Sequence, residues 1–203
     1  MLTAVVSLLA SSAAAQKSDS PADRFEIRIM GGESAAGNLL TATPAFSGGV
    51  EGAFRLTPAI ALTGHYGYDR LGSVNNSYCY DGCAQYWERD SLHEFGGGLR
   101  LSAPNRSRLE PYGAVSAGGA RWMTNSGYSS TGYTVGTYTV APYGSNYSSG
   151  MTKFAVTFGA GVQFRLTRRT GINFDVSGVG VMMGVHEIPG WLIRPSVGFY
   201  FRL

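Results

Sequence analysis

Three histidines and two cysteines are the side chains of this 203-residue chain that most readily do chemistry. Nucleophilic hydrolysis needs a hydroxyl, an imidazole and a carboxylate held together. The histidines lie far apart in the chain, at His65, His93 and His186, and His186 stands beside Glu187 in the last predicted loop. The sequence contains no phosphate-binding glycine loop, dinucleotide fingerprint or metal-ligand spacing. We therefore predict no catalytic residue, no metal site and no cofactor.

Residues 1–15 have the pattern of a secretory signal peptide. An apolar stretch from Leu2 to Leu9 leads to a small-residue site at Ala13–Ala15, and we expect cleavage before Gln16. The basic segment that normally precedes the apolar stretch is missing, which indicates a truncated start. A short N-terminal segment at 16–23 then precedes the folded domain, which we expect at 24–203 and outside the cytoplasm.

The two cysteines, Cys79 and Cys83, are separated by three residues. A secreted chain with only these two cysteines favours a disulfide between them. Such a bond closes a short loop, so it stabilises the chain only modestly. A metal or redox role for this spacing alone is the weaker alternative.

Eight segments alternate apolar residues with polar or small ones at a period of two, which predicts β-strands that have one apolar face. They span 24–32, 44–56, 59–69, 92–102, 110–122, 153–166, 171–183 and 193–203. Most are long enough for a strand that crosses a membrane at a tilt, which needs about 9–11 residues. The sequence has no apolar run long enough for a transmembrane helix.

The apolar face carries almost no charge, and nearly all charged residues of these segments lie on the opposite face. We predict that they pair inside a closed barrel as a charge network: Glu26, Arg28, Glu51, Arg55, Glu94, Arg100, Arg121, Arg165, Asp175 and Arg194. The same face carries Asp69, Lys153 and Arg202. Aromatic residues on the apolar face lie near both strand ends, as in the interfacial girdles of membrane barrels: Phe46, Tyr66, Tyr68, Phe154 and Trp122 at one end, and Phe54, Tyr112, Phe164, Phe174 and Phe201 at the other.

Two segments alternate less regularly than the rest. In 110–122, the pattern is weaker. It places Tyr112, Ala114 and Trp122 on the apolar face, and Val115 and Arg121 on the charged face. In 171–183, the alternation is lost at Val179 and Val181, which indicates a bulge or a position above the apolar zone. His93 is the main polar residue on the apolar face, close to a strand end.

The connections between the segments alternate strictly in length. Short ones fall at 57–58, 102–108 and 167–171, and long ones at 31–43, 70–90, 123–151 and 183–190. An up-and-down meander therefore has all its long loops at one end, as outer-membrane barrels do. The third long loop has no charged residue and carries evenly spaced tyrosines: Tyr128, Tyr133, Tyr138, Tyr143 and Tyr147. A solvated loop, or a hairpin that extends two strands past the membrane, is favoured over a tyrosine contact surface of the kind that binding loops use.

The last strand carries the most specific motif, Gly198-Phe199-Tyr200-Phe201-Arg202-Leu203. With this strand and the overall pattern of 24–203, the chain resembles the small eight-stranded bacterial outer-membrane barrels of the OmpA-anchor and OmpX type. The resemblance implies that Gly198, Phe199, Phe201 and Leu203 form an assembly signal for the barrel-assembly machinery. Leu203 departs from the family's usual terminal Phe or Trp. The resemblance does not imply a particular activity.

We therefore predict an all-β protein, an eight-stranded antiparallel up-and-down transmembrane barrel with short periplasmic turns and four longer extracellular loops. Its partners would be outer-membrane lipid, the assembly machinery and an unknown surface ligand of the loops, because the net charge of +3 is too small to favour nucleic acid. We expect a structural or adhesive role with no open pore, since eight-stranded interiors are filled by side chains. One alternative is a lipid A-modifying barrel enzyme, although the His-x-Ser-Asn-like run of the deacylases is missing. The other is a secreted soluble ligand-binding barrel, in which the apolar face would line the interior.

Overall fold

The computed structural model describes residues 24–36, 45–79, 83–103, 107–135, 138–182 and 190–203. The predicted signal peptide at 1–15, the segment 16–23 and the His186–Glu187 pair lie outside the described residues. The strands, in chain order, are β1 (Phe25–Ala36), β2 (Ala45–Arg55), β3 (Ile60–Cys79), β4 (Cys83–Ser102), β5 (Leu109–Ser130), β6 (Tyr133–Val135), β7 (Tyr138–Val140), β8 (Tyr143–Arg165), β9 (Thr170–Val181) and β10 (Gly190–Arg202). The described residues include no helix that is long and apolar enough to cross a membrane.

Eight of these strands form a closed antiparallel barrel in the order β1-β10-β9-β8-β5-β4-β3-β2. The last strand pairs back onto the first, from the Glu26–Arg202 pair to the Ala36–Leu192 pair. Closure pairs the backbone of the barrel wall all the way round and leaves no sheet edge in it. A sheet edge exposed to lipid would be unfavourable, because lipid offers no hydrogen-bond partners. The predicted eight-stranded antiparallel barrel is therefore confirmed.

The strands fall into two length classes. β1, β2, β9 and β10 have 11–13 residues, whereas β3, β4, β5 and β8 have 20–23. At a tilt near 45°, a strand of 22 residues rises about 50 Å, and the hydrocarbon core of a bilayer is about 30 Å thick. The long strands therefore project beyond the membrane. Two of the predicted long loops, 70–90 and 123–151, are largely strand.

The outer surface of the barrel is apolar. Ile29, Phe174 and Phe199 point outward, and each is more than half exposed, at 57%, 57% and 58%. Glu26, Arg28 and Arg100 point inward, and each is at most 1% exposed. A contiguous apolar belt of this kind is unstable in water and stable in lipid. A soluble ligand-binding barrel would need the opposite arrangement, with the apolar side chains inside and the charged side chains in water.

The predicted faces of β5 are wrong and must be reversed. Tyr112 is buried in the barrel interior at 6% exposure, Ala114 lines an interior cavity, and Val115 faces outward at 51% exposure. Arg121 is accordingly exposed on the outer surface and does not belong to the interior network, while Trp122 packs against interior residues. The central part of β5 consists mostly of Gly, Ala and Ser, which give little signal about faces. Because side chains alternate with a period of two, one misplaced residue reverses a whole strand.

The lost alternation at the end of β9 does not come from a bulge there. The pairs of β9 with β8 and β10 run without a register shift, and Val179 and Val181 both point into the barrel. A bulge occurs instead in β3, between Arg70 and Gly72. Leu71 points inward at 9% exposure, as Asp69 does, and beyond the bulge the even-numbered positions of β3 take over the inward-facing side.

Candidate functional site

Glu26 lies at the centre of a buried cluster near the periplasmic end of the barrel. We define this lower charge network as Glu26, Arg28, Glu51, Arg55, Arg100, Glu110, Gln163 and Arg202. The Glu26 carboxylate contacts four guanidinium groups: Arg100 Nη2 at 2.8 Å, Arg28 Nε at 2.9 Å, Arg202 Nε at 3.0 Å and Arg55 Nη2 at 3.3 Å. These arginines come from four different strands. One carboxylate thus joins opposite walls of the barrel, and the contacts offset the cost of removing its charge from water.

Glu110 on β5 is the second acidic centre of the lower network, and the sequence analysis missed it. It is 2% exposed and accepts hydrogen bonds from Arg55 Nη2 at 3.3 Å and Arg202 Nη2 at 3.1 Å. Arg165 Nη2 lies 3.8 Å from the same carboxylate. The reversed faces of β5 had placed Glu110 toward lipid. An acid on the lipid face is unfavourable, so Glu110 itself was the signal for the correct assignment.

A second cluster lies nearer the extracellular end, and we define this upper charge network as His65, Asp69, Glu94, Thr157 and Arg194. Arg194 Nη2 donates to Glu94 Oε2 at 2.5 Å, and Arg194 Nε lies 3.1 Å from Asp69 Oδ1. His65 Nε2 lies 3.1 Å from Glu94 Oε1. The Thr157 hydroxyl also donates to Glu94, and not to the imidazole as a hydroxyl nucleophile would. The geometry is that of a structural ion cluster.

A small cavity of about 70 Å³ separates the two networks. Tyr112 and Asp175 contribute to its wall, and the Tyr112 hydroxyl donates to Asp175 Oδ2 at 2.7 Å. The Arg28 guanidinium lies over the Tyr112 ring, 4.3 Å from its centroid. A space of this size holds about two water molecules, far less than an aqueous channel requires.

The interior becomes apolar toward the extracellular end. We define this apolar layer as Leu71, Leu92, Ala120, Ala155, Val179, Val181 and Leu192, with Trp122 packed against it. Leu92 and Val179 are only 2% and 0% exposed. Trp122 Nε1 donates to Thr124 at 3.2 Å, and Thr124 donates to Asp90 at 2.7 Å. The layer lies above the upper charge network, and a cavity of about 440 Å³ opens beside its residues Ala120 and Val181 and beside Lys153.

The four long strands continue past the apolar layer as one sheet. Register pairs join Asn75 to Trp87, Trp87 to Gly127 and Gly127 to Asn146 across β3, β4, β5 and β8. We call this projecting part, residues 72–79, 83–91, 123–130 and 143–152, the extracellular sheet. Cys79 and Cys83 are joined by a disulfide at the tip of its β3–β4 hairpin. The β6–β7 hairpin continues from β5 and β8 at the same tip, where Thr131 N donates to Cys83 O at 2.9 Å.

Five tyrosines share one face of the extracellular sheet, and we call it the tyrosine face: Tyr78, Tyr86, Tyr128, Tyr143 and Tyr147. Tyr86 lies directly opposite Tyr128, and the Tyr128 and Tyr143 rings are 6.4 Å apart. Positions two apart share a face, so this face continues the one that carries Leu92 inside the barrel. The Tyr86 hydroxyl donates to the Glu88 carboxylate, which raises the pKa of Tyr86.

The sequence analysis found only part of the tyrosine face. Tyr78 and Tyr86 come from the other predicted loop, and only the strand register brings them beside Tyr128. Tyr133 and Tyr138 lie on β6 and β7, apart from the extracellular sheet. Tyr143 and Tyr147 are 63% and 67% exposed.

Three solved structures that are similar in fold are outer-membrane proteins. Neisserial surface protein A superposes with a TM-score of 0.57 at 11% identity, over 88% of this chain and 97% of that chain. A major outer membrane protein from Thermus thermophilus superposes with a TM-score of 0.52 at 9% identity, over 88% and 99% of the two chains. The outer membrane protease OmpT from Escherichia coli gives 0.50 at 9% identity, over 93% and 99%. No protein-family model and no curated protein matches the sequence.

These similarities establish the fold, while the narrower likeness to the OmpA-anchor and OmpX type stays a prediction. The apolar exterior supplies the independent physical evidence, because a belt that contains Ile29, Phe174 and Phe199 fits lipid. The chain is therefore similar in fold to the small barrels of the bacterial outer membrane, and it is an integral β-barrel protein of that membrane.

Proposed function

We propose that the protein is a non-enzymatic surface-contact protein, in which the barrel anchors the extracellular sheet and the tyrosine face binds an extracellular partner. The tyrosine face carries the proposal. Tyrosine offers a large, rigid contact area at low entropic cost and a hydroxyl for hydrogen bonding. Five such side chains on one face, held by paired strands, form a preorganised surface.

The surroundings of the tyrosine face support this role. Ser126, Ser130 and Ser145 stand on the same face between the tyrosines, and their hydroxyls donate and accept hydrogen bonds. The opposite face of the sheet carries mainly Ser, Asn, Gln and Gly, with Trp87 as its aromatic residue. The sheet is thus aromatic on one face only.

A filled interior supports an anchoring role for the barrel. The two charge networks and the apolar layer lie one above the other across the described interior, so the barrel would hold the sheet without conducting solutes. His65 is engaged by Glu94 inside the barrel, 3.1 Å away, which fits a structural imidazole.

Adherence of bacteria that display the protein tests the proposal. Cells that display the full chain should adhere to an epithelial monolayer, or to each other, above the level of cells with an empty vector. Replacing the five residues of the tyrosine face by Ser should return adherence to the vector level. The matched control, Trp87→Ser, removes an aromatic from the opposite face of the same sheet and should keep adherence.

Two results would count against a contact role. One is adherence at the vector level for the unmodified protein on both surfaces. The other is an equal loss in the tyrosine variant and in Trp87→Ser. A heat-modifiable gel shift of each displayed variant establishes that its barrel is folded.

A further inference from the structure

Four basic side chains stand on the outer surface beyond the apolar belt, and we call them the outer basic patch: Arg70, Arg89, His93 and Arg121. They lie on the neighbouring strands β3, β4 and β5, and all three arginines are exposed. Among the described residues, the other arginines outside the barrel interior lie toward the periplasmic end, at Arg24, Arg108, Arg168 and Arg169. Within the described part of the chain, the outward-facing arginines near the extracellular end are thus confined to β3, β4 and β5.

The patch begins where the belt stops. On each strand, the next outward position after an aromatic or small residue is basic: Arg70 after Tyr68, His93 after Phe95 and Arg121 after Gly119. Two residues advance a tilted strand by about 5 Å along the membrane normal. The headgroup layer extends about 5–8 Å beyond the hydrocarbon core. The first basic position on each strand therefore lies at headgroup depth.

The arginines of the patch have no protein carboxylate as partner within the described residues. Asp90 follows Arg89 in the sequence, but it accepts a hydrogen bond from Thr124 at 2.7 Å. Arg121 extends beside Gly150, where an added Cβ would lie 3.4 Å from its Nε. Gly150 pairs with Met123, two residues farther out along β5, so the guanidinium leans away from the membrane centre.

A surface groove of about 370 Å³ lies within the patch. Its walls include Tyr68, Arg70, Arg89, Ser91 and Asn125, and each of these side chains has a hydrogen-bond donor. Asp90 is the acid in the lining, and Thr124 already occupies one of its oxygens. Converging donors with positive charge are the chemistry that binds phosphate groups.

We propose that the outer basic patch binds the phosphate groups of outer-leaflet lipid A. The arginines would form charge-assisted hydrogen bonds to the phosphates, and Phe95 and Phe154 would lie along the acyl chains below them. Both phenylalanines are about half exposed on the outer surface, at 50% and 51%. This site is separate from the tyrosine face, which lies on the opposite side of the same strands.

Titration of diphosphoryl lipid A in detergent micelles onto the refolded full chain tests the site. Replacing Arg70, Arg89 and Arg121 together by Gln should weaken binding about a hundredfold, because each arginine near an anionic headgroup contributes about a fivefold factor. The matched control replaces Arg108, Arg168 and Arg169 by Gln, which removes the same charge at the periplasmic end, and should bind as the unmodified protein does. The corresponding triple Lys variant should be intermediate, because lysine keeps the charge but loses the bidentate geometry.

Dephosphorylated lipid A separates phosphate recognition from acyl-chain packing. Its affinity for the unmodified protein should be as low as the affinity of the phosphorylated lipid for the triple Gln variant, or lower. Equal affinity for the two lipids, or an equal loss in the control variant, would overturn the proposal. Sucrose octasulfate serves as a soluble polyanion, and if it bound the patch while lipid A did not, the lipid assignment would be wrong. A heat-modifiable gel shift verifies that every variant is folded.

Discussion

At the scale of single residues, Glu26 pairs with more arginines than any other carboxylate among the described residues. Its carboxylate has contacts of 2.8–3.3 Å with four arginines and is fully buried. Gln163 Nε2 also donates to it at 2.8 Å. Any change at this position leaves several buried positive charges without their shared partner.

Glu26→Gln should therefore destabilise the barrel strongly. Breaking a buried ion cluster by removing one partner costs about 3–5 kcal/mol, because uncompensated charge remains inside. Urea unfolding of the protein in lipid vesicles measures the effect. Glu33→Gln is the control, since Glu33 is an exposed residue of the same strand, and should change the unfolding free energy by less than about 0.5 kcal/mol. Equal effects of the two changes would contradict a central role for Glu26.

At the scale of elements, β5 decides between two arrangements of the barrel wall. With Tyr112 inside, Val115 faces lipid near the middle of the belt. The opposite arrangement would bury Val115 and expose Glu110. The hydrogen bonds from Arg55 and Arg202 to Glu110 belong to the observed arrangement only.

Val115→Arg should impair insertion into phosphatidylcholine vesicles, which the heat-modifiable gel shift measures. It should also lower the stability of the inserted barrel by about 2–4 kcal/mol. A charge near the bilayer midplane has to leave water, which is the source of that cost. Val140→Arg is the matched control, because Val140 lies on β7 outside the membrane at 45% exposure. Normal insertion of Val115→Arg would show that the faces of β5 are assigned incorrectly.

Another element-scale prediction concerns the disulfide of the β3–β4 hairpin. Its loop is short, so the bond should contribute about 2 kcal/mol or less, and only to the hairpin. Replacing Cys79 and Cys83 by Ser should speed hydrogen exchange at the tip of the extracellular sheet and leave exchange in the barrel wall unchanged. Faster exchange around the lower charge network would contradict this separation.

At the scale of the whole molecule, the barrel is stratified along its axis. The lower charge network, the cavity, the upper charge network and the apolar layer follow one another from the periplasmic to the extracellular end. The cavity between the networks measures about 70 Å³. The outer surface has its own order, in which an apolar belt is followed by the outer basic patch.

A filled interior predicts the electrical behaviour of the protein. In planar lipid bilayers it should produce no stable conductance steps, because an eight-stranded barrel leaves no aqueous channel between its side chains. Leu92→Ser with Trp122→Ala should loosen the apolar layer without opening a path, since both charge networks remain below it. Stable steps from the unmodified protein would contradict the filled interior.

Most of the fold could be predicted from alternation alone. Strands such as 153–166 have large apolar residues on one face and Gly, Gln, Lys or Arg on the other, so their faces are unambiguous. The β5 segment has too few large side chains for this, and Glu110 was the overlooked clue. The interior apolar layer was harder to predict, because Val179 and Val181 break the alternation without showing where they point.

The sequence by itself determined the number of barrel strands and the lipid-facing side of most strands, because both follow from a local period of two. The alternation of short and long connections determined the end at which the long connections lie. Tertiary structure alone decided which charges meet, as in the four-strand cluster around Glu26. It also decided that Tyr78 and Tyr86 stand beside Tyr128, and that arginines of three strands form one patch. Such pairings depend on the register between strands and on barrel closure, which join residues that are distant in the chain.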